Sequence, residues 1–225
     1  MSDLKLAPSI LTADFGKLAD EIRTVEPFVD WFHLDVMDGH YVPNLTFGPT
    51  IVEAVNRATD LPLHVHLMIE DPLEYAPRFA EAGADRISFH PEVVDDIGGV
   101  IAALRDLKVG PGLAVHPDVG LDPIEPYVGD VDVVLMMSVR PGFGGQEFIP
   151  EVVPSIARAK AIVAASGNPA DIEVDGGIKL STVDRVVEAG GEILVAGSAI
   201  FDGVDAAAAA RGLRTRLNEL AGAVR

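Results

Sequence analysis

The 225-residue chain contains no cysteine. This excludes disulfides, thiolate metal sites and cysteine nucleophiles, and it agrees with a reducing compartment. Long apolar runs are also missing: none approaches the roughly 20 residues that cross a bilayer, so no membrane partner is expected. Basic residues are scarce, with 17 Lys plus Arg against 35 Asp plus Glu, which leaves a net charge of −18. Such a field repels nucleic acid and anionic membranes, and it does not steer an anionic ligand inward. Any phosphate must instead be held locally, by backbone N–H groups and helix N-termini. The opening residues MSDLKLAPSIL lack a basic segment followed by a long apolar one. A cytoplasmic location is therefore expected, with the Asn44-Leu45-Thr46 glycosylation pattern unused.

With 48% hydrophobic residues, the chain can bury one large core. Short β-rich runs alternate with amphipathic helical runs about eight times. The strand candidates lie in KLAPSIL, WFHLDVM, LPLHVHLMI, DRISFHP, GPGLAVHP, DVVLMMSV, DIEVDGG and EILVAGSA. Helical stretches are predicted over 14–26, 49–58, 72–82, 97–107, 150–165, 182–189 and 204–221. The Pro-rich connection after GLAVHP predicts only a short or irregular helix. Strands alternating with helices imply parallel βαβ units, and eight of them imply an α/β fold built as one (β/α)8 TIM barrel over residues 1–225.

In such barrels functional groups sit at the C-terminal ends of the strands. Side chains alternate along a strand, so His33, Asp35 and Met37 share one face while Phe32, Leu34 and Val36 share the other. LPLHVHLMI repeats the arrangement with His64, His66 and Met68. A lone strand histidine is more often a hydrogen-bonded core residue, and His64, deeper in its strand, is read that way. His33, Asp35, His66 and Asp175 all close strands, and two imidazoles with two carboxylates suit Zn2+, Fe2+, Mn2+ or Co2+. A divalent ion there can polarise a carbonyl and stabilise an enediolate, and Asp35 and Asp175, from the second and seventh strands, can approach a substrate from opposite sides. Three Gly-containing segments, Pro141 to Gln146, Gly176-Gly177 and Gly197-Ser198, follow strands, and together they predict a phosphate cradle. Met37, Met68 and Met137 are expected to line the same cavity. Without GxGxxG after a first strand, a dinucleotide fold is rejected.

The segments APSILTADF, HLDVMDGHYVPNLTFGP, HLMIEDP, SVRPGFGGQEFIP, VDGGI and AGSAIF carry a resemblance that covers essentially the whole chain. The sequence resembles the ribulose-phosphate 3-epimerase family. The resemblance implies a metal-dependent enzyme of the pentose-phosphate pathway that inverts C3 of D-ribulose 5-phosphate to give D-xylulose 5-phosphate. It implies one divalent ion per subunit held by His33, Asp35, His66 and Asp175, with Asp35 accepting and Asp175 donating the proton. It places Ser9, His66, Gly142, Phe143, Gly144, Gly145, Gly176, Gly177, Gly197 and Ser198 around the sugar phosphate. A homo-oligomer, dimer or hexamer, is implied too. The segment from His116 to Pro126 departs from the family pattern. Rival readings are an epimerase of a ketohexose 6-phosphate such as allulose 6-phosphate, a Schiff-base aldolase or decarboxylase, and a non-catalytic phosphosugar-binding barrel. The Schiff-base chemistry needs an inward lysine, and only Lys179 among the five lysines follows a strand end closely.

Overall fold

The computed structural model describes residues 4–201 and 204–223. Among the described residues eight parallel strands form one sheet: β1 (Lys5–Pro8), β2 (Phe32–Met37), β3 (Leu63–Met68), β4 (Arg86–Phe89), β5 (Gly110–Val115), β6 (Val133–Met137), β7 (Asp171–Asp175) and β8 (Ile193–Ala196). Their spatial order is β1-β8-β7-β6-β5-β4-β3-β2. A Ser9–His33 bridge and an Asp30 N–H to Leu6 carbonyl bond of 2.9 Å draw β1 and β2 together, so the sheet nearly closes into a barrel. Every strand predicted from the alternation is present.

The helices are α1 (Leu18–Val25), α2 (Pro49–Asn56), α3 (Pro72–Glu81), α4 (Ile97–Asp106), α5 (Val153–Ser166), α6 (Val183–Glu188) and α7 (Ala206–Ala223). Their starts carry ordinary signals. Asp71 caps α3 by accepting from the Glu74 N–H, with Pro72 at the first helical position, and Asp96 caps α4 by accepting from the Gly99 N–H. The run predicted as one helix over 14–26 is split: a 3-10 turn at Phe15–Lys17 precedes α1, and another at Glu26–Phe28 follows it, where Pro27 removes a backbone donor. The Pro-rich stretch after β5 forms a 3-10 helix, Glu125–Asp130, in place of an α-helix. No helix among the described residues is long and apolar enough to cross a membrane.

Alternation along the strands creates two cores. The outward side chains, such as Phe32 and Leu34 of β2 and Val65 and Leu67 of β3, join the helices in one large apolar layer. The inward side chains form small separate clusters, among them Ala114 with Leu135, Met137 and Val139, and Met37 with Val42 and Met68. The N-terminal end of the barrel is closed by charge. Asp171 takes Lys5 at 3.2 Å and Arg86 at 2.8 Å, and the Arg86 guanidinium lies over the Trp31 ring. That leaves the opposite end for the site.

The outer layer carries the stability. Phe79 of α3 is 1% exposed within it. Phe79→Ala is expected to lower unfolding free energy by about 3–5 kcal/mol, read as a fall in the urea midpoint. A cost under about 1 kcal/mol would show that the layer collapses around the gap.

Candidate functional site

At the C-terminal ends of the strands the barrel brings together four residues distant in sequence. His33, Asp35, His66 and Asp175 each offer a ligand atom within 4.8 Å of the others. Register explains half of this: β2 and β3 pair in parallel with Asp35 opposite His66, so the two share a level on the inner face. Asp175 ends β7, which β8 and β1 separate from β2. His66 Nδ1 lies 3.1 Å from Asp35 Oδ1, and His33 Nε2 lies 3.2 Å from the same oxygen and 4.0 Å from Asp175 Oδ2. Ser9 Oγ donates to the other Asp35 oxygen, and Thr46 Oγ1 donates to the Asp35 carbonyl at 2.8 Å.

The electrostatics are lopsided. Burial disfavours charge at Asp35, yet the His33 and His66 rings beside it hold its carboxyl far below the usual carboxylate range. Burial and the Asp35 charge push Asp175 up to about 8. Burial pulls His33 down, but Asp35 and Glu173 outweigh it and hold the ring well above its ordinary value. Burial takes His66 down to about 3. A cluster with this excess of carboxylate over cation is one that a divalent metal would relieve. The residues fit such an ion: the His33 Nε2 atom is buried, faces both carboxylates and makes no hydrogen bond among the described residues.

Above the cluster lies a cavity bordered by Asp35 and Asp175, the three methionines Met37, Met68 and Met137, and Ser9. Its other walls include Gly142, Phe143, Gly144, Gly145, Gly176, Gly177, Gly197 and Ser198. The predicted site residues therefore converge on one place, but two of them are not cavity walls: His33 and His66 are fully buried against Asp35 and do not border the opening. Among the described residues neither lysine nor arginine borders the cavity, and Lys179 stays outside it. The glycine loops are held by side chains. Gln146 Nε2 donates to the Arg140 and Phe143 carbonyls at 2.7 and 2.8 Å, and Asn44 Nδ2 donates to the Gly142 carbonyl at 2.8 Å. Ser138 Oγ reaches the Asp175 and Gly176 carbonyls at 2.9 and 2.7 Å, fixing the end of β7.

This arrangement can be set beside known proteins. The model of the ribulose-phosphate 3-epimerase family matches residues 5–201. The chain belongs to that family. A ribulose-phosphate 3-epimerase of Bacillus subtilis is 49% identical over 200 residues, covering 88% of this chain and 92% of the relative. One of Mycobacterium tuberculosis is 46% identical over 209 residues, covering 93% and 91%. The chloroplastic ribulose-5-phosphate-3-epimerase of Arabidopsis thaliana is 43% identical, covering 99% of this chain and 80% of its own. Solved structures share the barrel at lower identity. KGPDC from Streptococcus mutans superposes with a TM-score of 0.76 at 16% identity, covering 96% of this chain and 98% of that one. A 3-hexulose-6-phosphate synthase does so with 0.69 at 21%, covering 94% and 99%.

Sequence reasoning missed several residues here. Glu173 (1% exposed) bonds to His33 and His64, His90 Nε2 sits 2.9 Å from His66 Nε2, and Ser138 fixes the end of β7. Glu173 and His90 had signals, since Glu173 stands two before Asp175 and so shares its face, and His90 directly follows the end of β4. The predicted structural role of His64 agrees with its buried bonds to Glu173 and Ser88.

Close approach fixes the loop after β7. A Cβ on Gly176 would lie 2.5 Å from Val139 Cγ2 and 2.8 Å from the Val139 nitrogen, and its φ of +119° suits glycine alone. Gly176→Ala is expected to cost about 1–3 kcal/mol of stability, measured by urea denaturation. An unchanged midpoint would show that this loop yields freely.

Proposed function

We propose that this chain interconverts D-ribulose 5-phosphate and D-xylulose 5-phosphate by inverting C3, with Asp35 and Asp175 as the two proton-transfer groups. The observation that carries the reading is that two carboxyl groups from non-neighbouring strands border one cavity, in a chain of the epimerase family. Inversion needs a base on one face of C3 and an acid on the other, and two carboxyls on separate strands can serve opposite faces. Asp35 takes the C3 proton; Asp175 returns one from the opposite side. Ser9, donating to one Asp35 oxygen, orients the carboxylate and leaves its other oxygen toward the histidines.

His33, Asp35, His66 and Asp175 would hold a divalent cation, and two imidazoles with two carboxylates suit Zn2+, Fe2+, Mn2+ or Co2+. When bound, it would polarise the substrate's carbonyl and so make the neighbouring C–H acidic enough for a carboxylate to attack. The three methionines keep the reacting carbons in an apolar setting, which limits proton exchange with water. Gly142 to Gly145, Gly176, Gly177, Gly197 and Ser198 hold the sugar and its phosphate through backbone groups. The absence of lysine from the cavity walls weighs against Schiff-base chemistry.

With ribulose 5-phosphate in D2O, the xylulose 5-phosphate formed should carry deuterium at C3. Asp35→Asn and Asp175→Asn should each lower kcat by about 10²–10⁴ or more, with melting curves still those of a folded protein. Turnover near wild type in either variant would remove that residue from the mechanism. A higher kcat/KM on allulose 6-phosphate than on ribulose 5-phosphate would reassign the substrate to the hexose series.

Chelation tests the metal separately. Dialysis against dipicolinate should abolish turnover, and one of the four cations should restore it. Full activity in protein shown by elemental analysis to be metal-free would exclude metal dependence.

A further inference from the structure

One level deeper in the barrel than the proposed metal ligands lies a second buried polar group. His33, His64 and Glu173 are each at most 1% exposed. His33 and His64 face each other across β2 and β3, two residues before Asp35 and His66, and Glu173 stands two before Asp175 on β7. Each carboxylate oxygen of Glu173 takes one imidazole: Oε1 lies 2.8 Å from His33 Nδ1, and Oε2 lies 2.7 Å from His64 Nδ1. His64 Nε2 in turn lies 2.7 Å from Ser88 Oγ. One assignment of protons satisfies the whole chain. Ser88 donates to His64 Nε2, and His64 and His33 both donate from Nδ1 to Glu173. The far end requires glycine, because a Cβ on Gly112 would sit 2.0 Å from Ser88 Oγ.

The bland account is a satisfied polar cluster in a tight core. It leaves the His33 ring unexplained. With Nδ1 committed to Glu173, the Nε2 atom is turned toward Asp35 and Asp175, where it makes no hydrogen bond among the described residues. His90 Nδ1 likewise makes no hydrogen bond among the described residues, but it lies near Glu92 alone, whereas the His33 nitrogen faces two carboxylates of the ligand cluster.

We propose that Glu173 is a positioning residue for the metal centre: by accepting the His33 Nδ1 proton, it fixes the ring's orientation and tautomer so that the Nε2 lone pair faces the ligand cluster. The proposal rests on the metal-dependent reading above. A carboxylate behind a ligating imidazole also raises the basicity of the coordinating nitrogen, and loss of such a partner typically weakens metal binding about 10–100-fold. Ser88 and Gly112 serve the same end at one remove, since they fix His64 and leave Glu173 a single orientation.

Zn2+ affinity, measured by competition with a chromophoric chelator, tests this in the whole chain. Glu173→Gln keeps the shape. Its carbonyl can accept from His33 and its amide can donate to His64, whose proton moves to Nε2 to donate to Ser88. The expected result is Zn2+ binding weakened about 10–100-fold, with the melting temperature of the metal-free protein within a few degrees of wild type. Equal affinity for Zn2+ in both folded Glu173→Gln and folded Glu173→Ala, which has no acceptor for His33, overturns the role of Glu173 and leaves the metal site standing. Wild-type protein that binds no Zn2+ overturns the metal reading and this inference with it. Should Glu173→Gln fail to fold, nitrogen NMR of Zn2+-loaded, ¹⁵N-histidine-labelled wild type decides. A His33 protonated at Nδ1 and bound through Nε2 is expected, and the opposite tautomer overturns the proposal.

Discussion

Three carboxylates, Asp35, Glu173 and Asp175, point into the interior of one barrel, and most of the site's construction follows from keeping them there. An isolated buried carboxylate costs several kcal/mol, so each needs donors or a neutralised state. Glu173 has two imidazoles, and Asp35 has the His66 imidazole and the Ser9 hydroxyl, with the His33 ring 3.2 Å away. Asp175 lacks such an escort and is pushed toward its protonated form. Small residues make the room. Gly112 leaves space for Ser88, while Ala7 and Ala114 fill the inner face with little more than a methyl group. The apolar inner clusters stay small because so much of the interior is committed to polar groups.

The two ends of the strands divide the labour. At the N-terminal end, Lys5, Arg86, Asp171 and Trp31 form a charged and stacked closure whose groups satisfy one another. At the other end, carboxylates and imidazoles meet with two nitrogens, His33 Nε2 and His90 Nδ1, left without a hydrogen bond among the described residues, and the loops above them are tied to each other. Asp38 accepts from the His40, Tyr41 and Glu70 backbones, and Asn44 reaches across to Gly142. A cavity wall built from several loops is thereby held without long secondary structure.

The sequence carried the inner faces well where the signal was local. Alternation over WFHLDVM and LPLHVHLMI separates His33, Asp35 and His66 from Phe32, Leu34 and Val65, and the barrel keeps that separation. Helix boundaries slipped where a 3-10 turn replaces a predicted helical end, at Glu26–Phe28, which holds Pro27, and at Phe15–Lys17, which holds Gly16. Glu173 escaped because its importance lies in partners 140 and 109 residues away. A glutamate between Ile172 and Val174 reads equally well as the solvated face of a strand. Ser88 and Gly112 escaped for the same reason: one is a small polar residue and the other a small apolar one, and only the approach of β4 to β5 gives either a function.

The overall charge of −18 and the lack of lysine and arginine among the described cavity walls are two sides of one constraint. A lysine or arginine among the walls would grip a phosphate firmly, but it would stand near Asp35 and Asp175. There it would pair with one of them, favour the ionised form of Asp175 and compete with a cation for the same oxygens. Backbone N–H groups carry partial charge fixed in direction, so they can be aimed at a phosphate without reaching the carboxylates. Glycine lets the backbone come close enough to do this, at Gly176 by a turn that no side chain would allow. In the proposed mechanism the distribution of charge separates the two tasks: anion binding is left to neutral dipoles in the loops, and proton transfer and cation binding are left to the acidic floor.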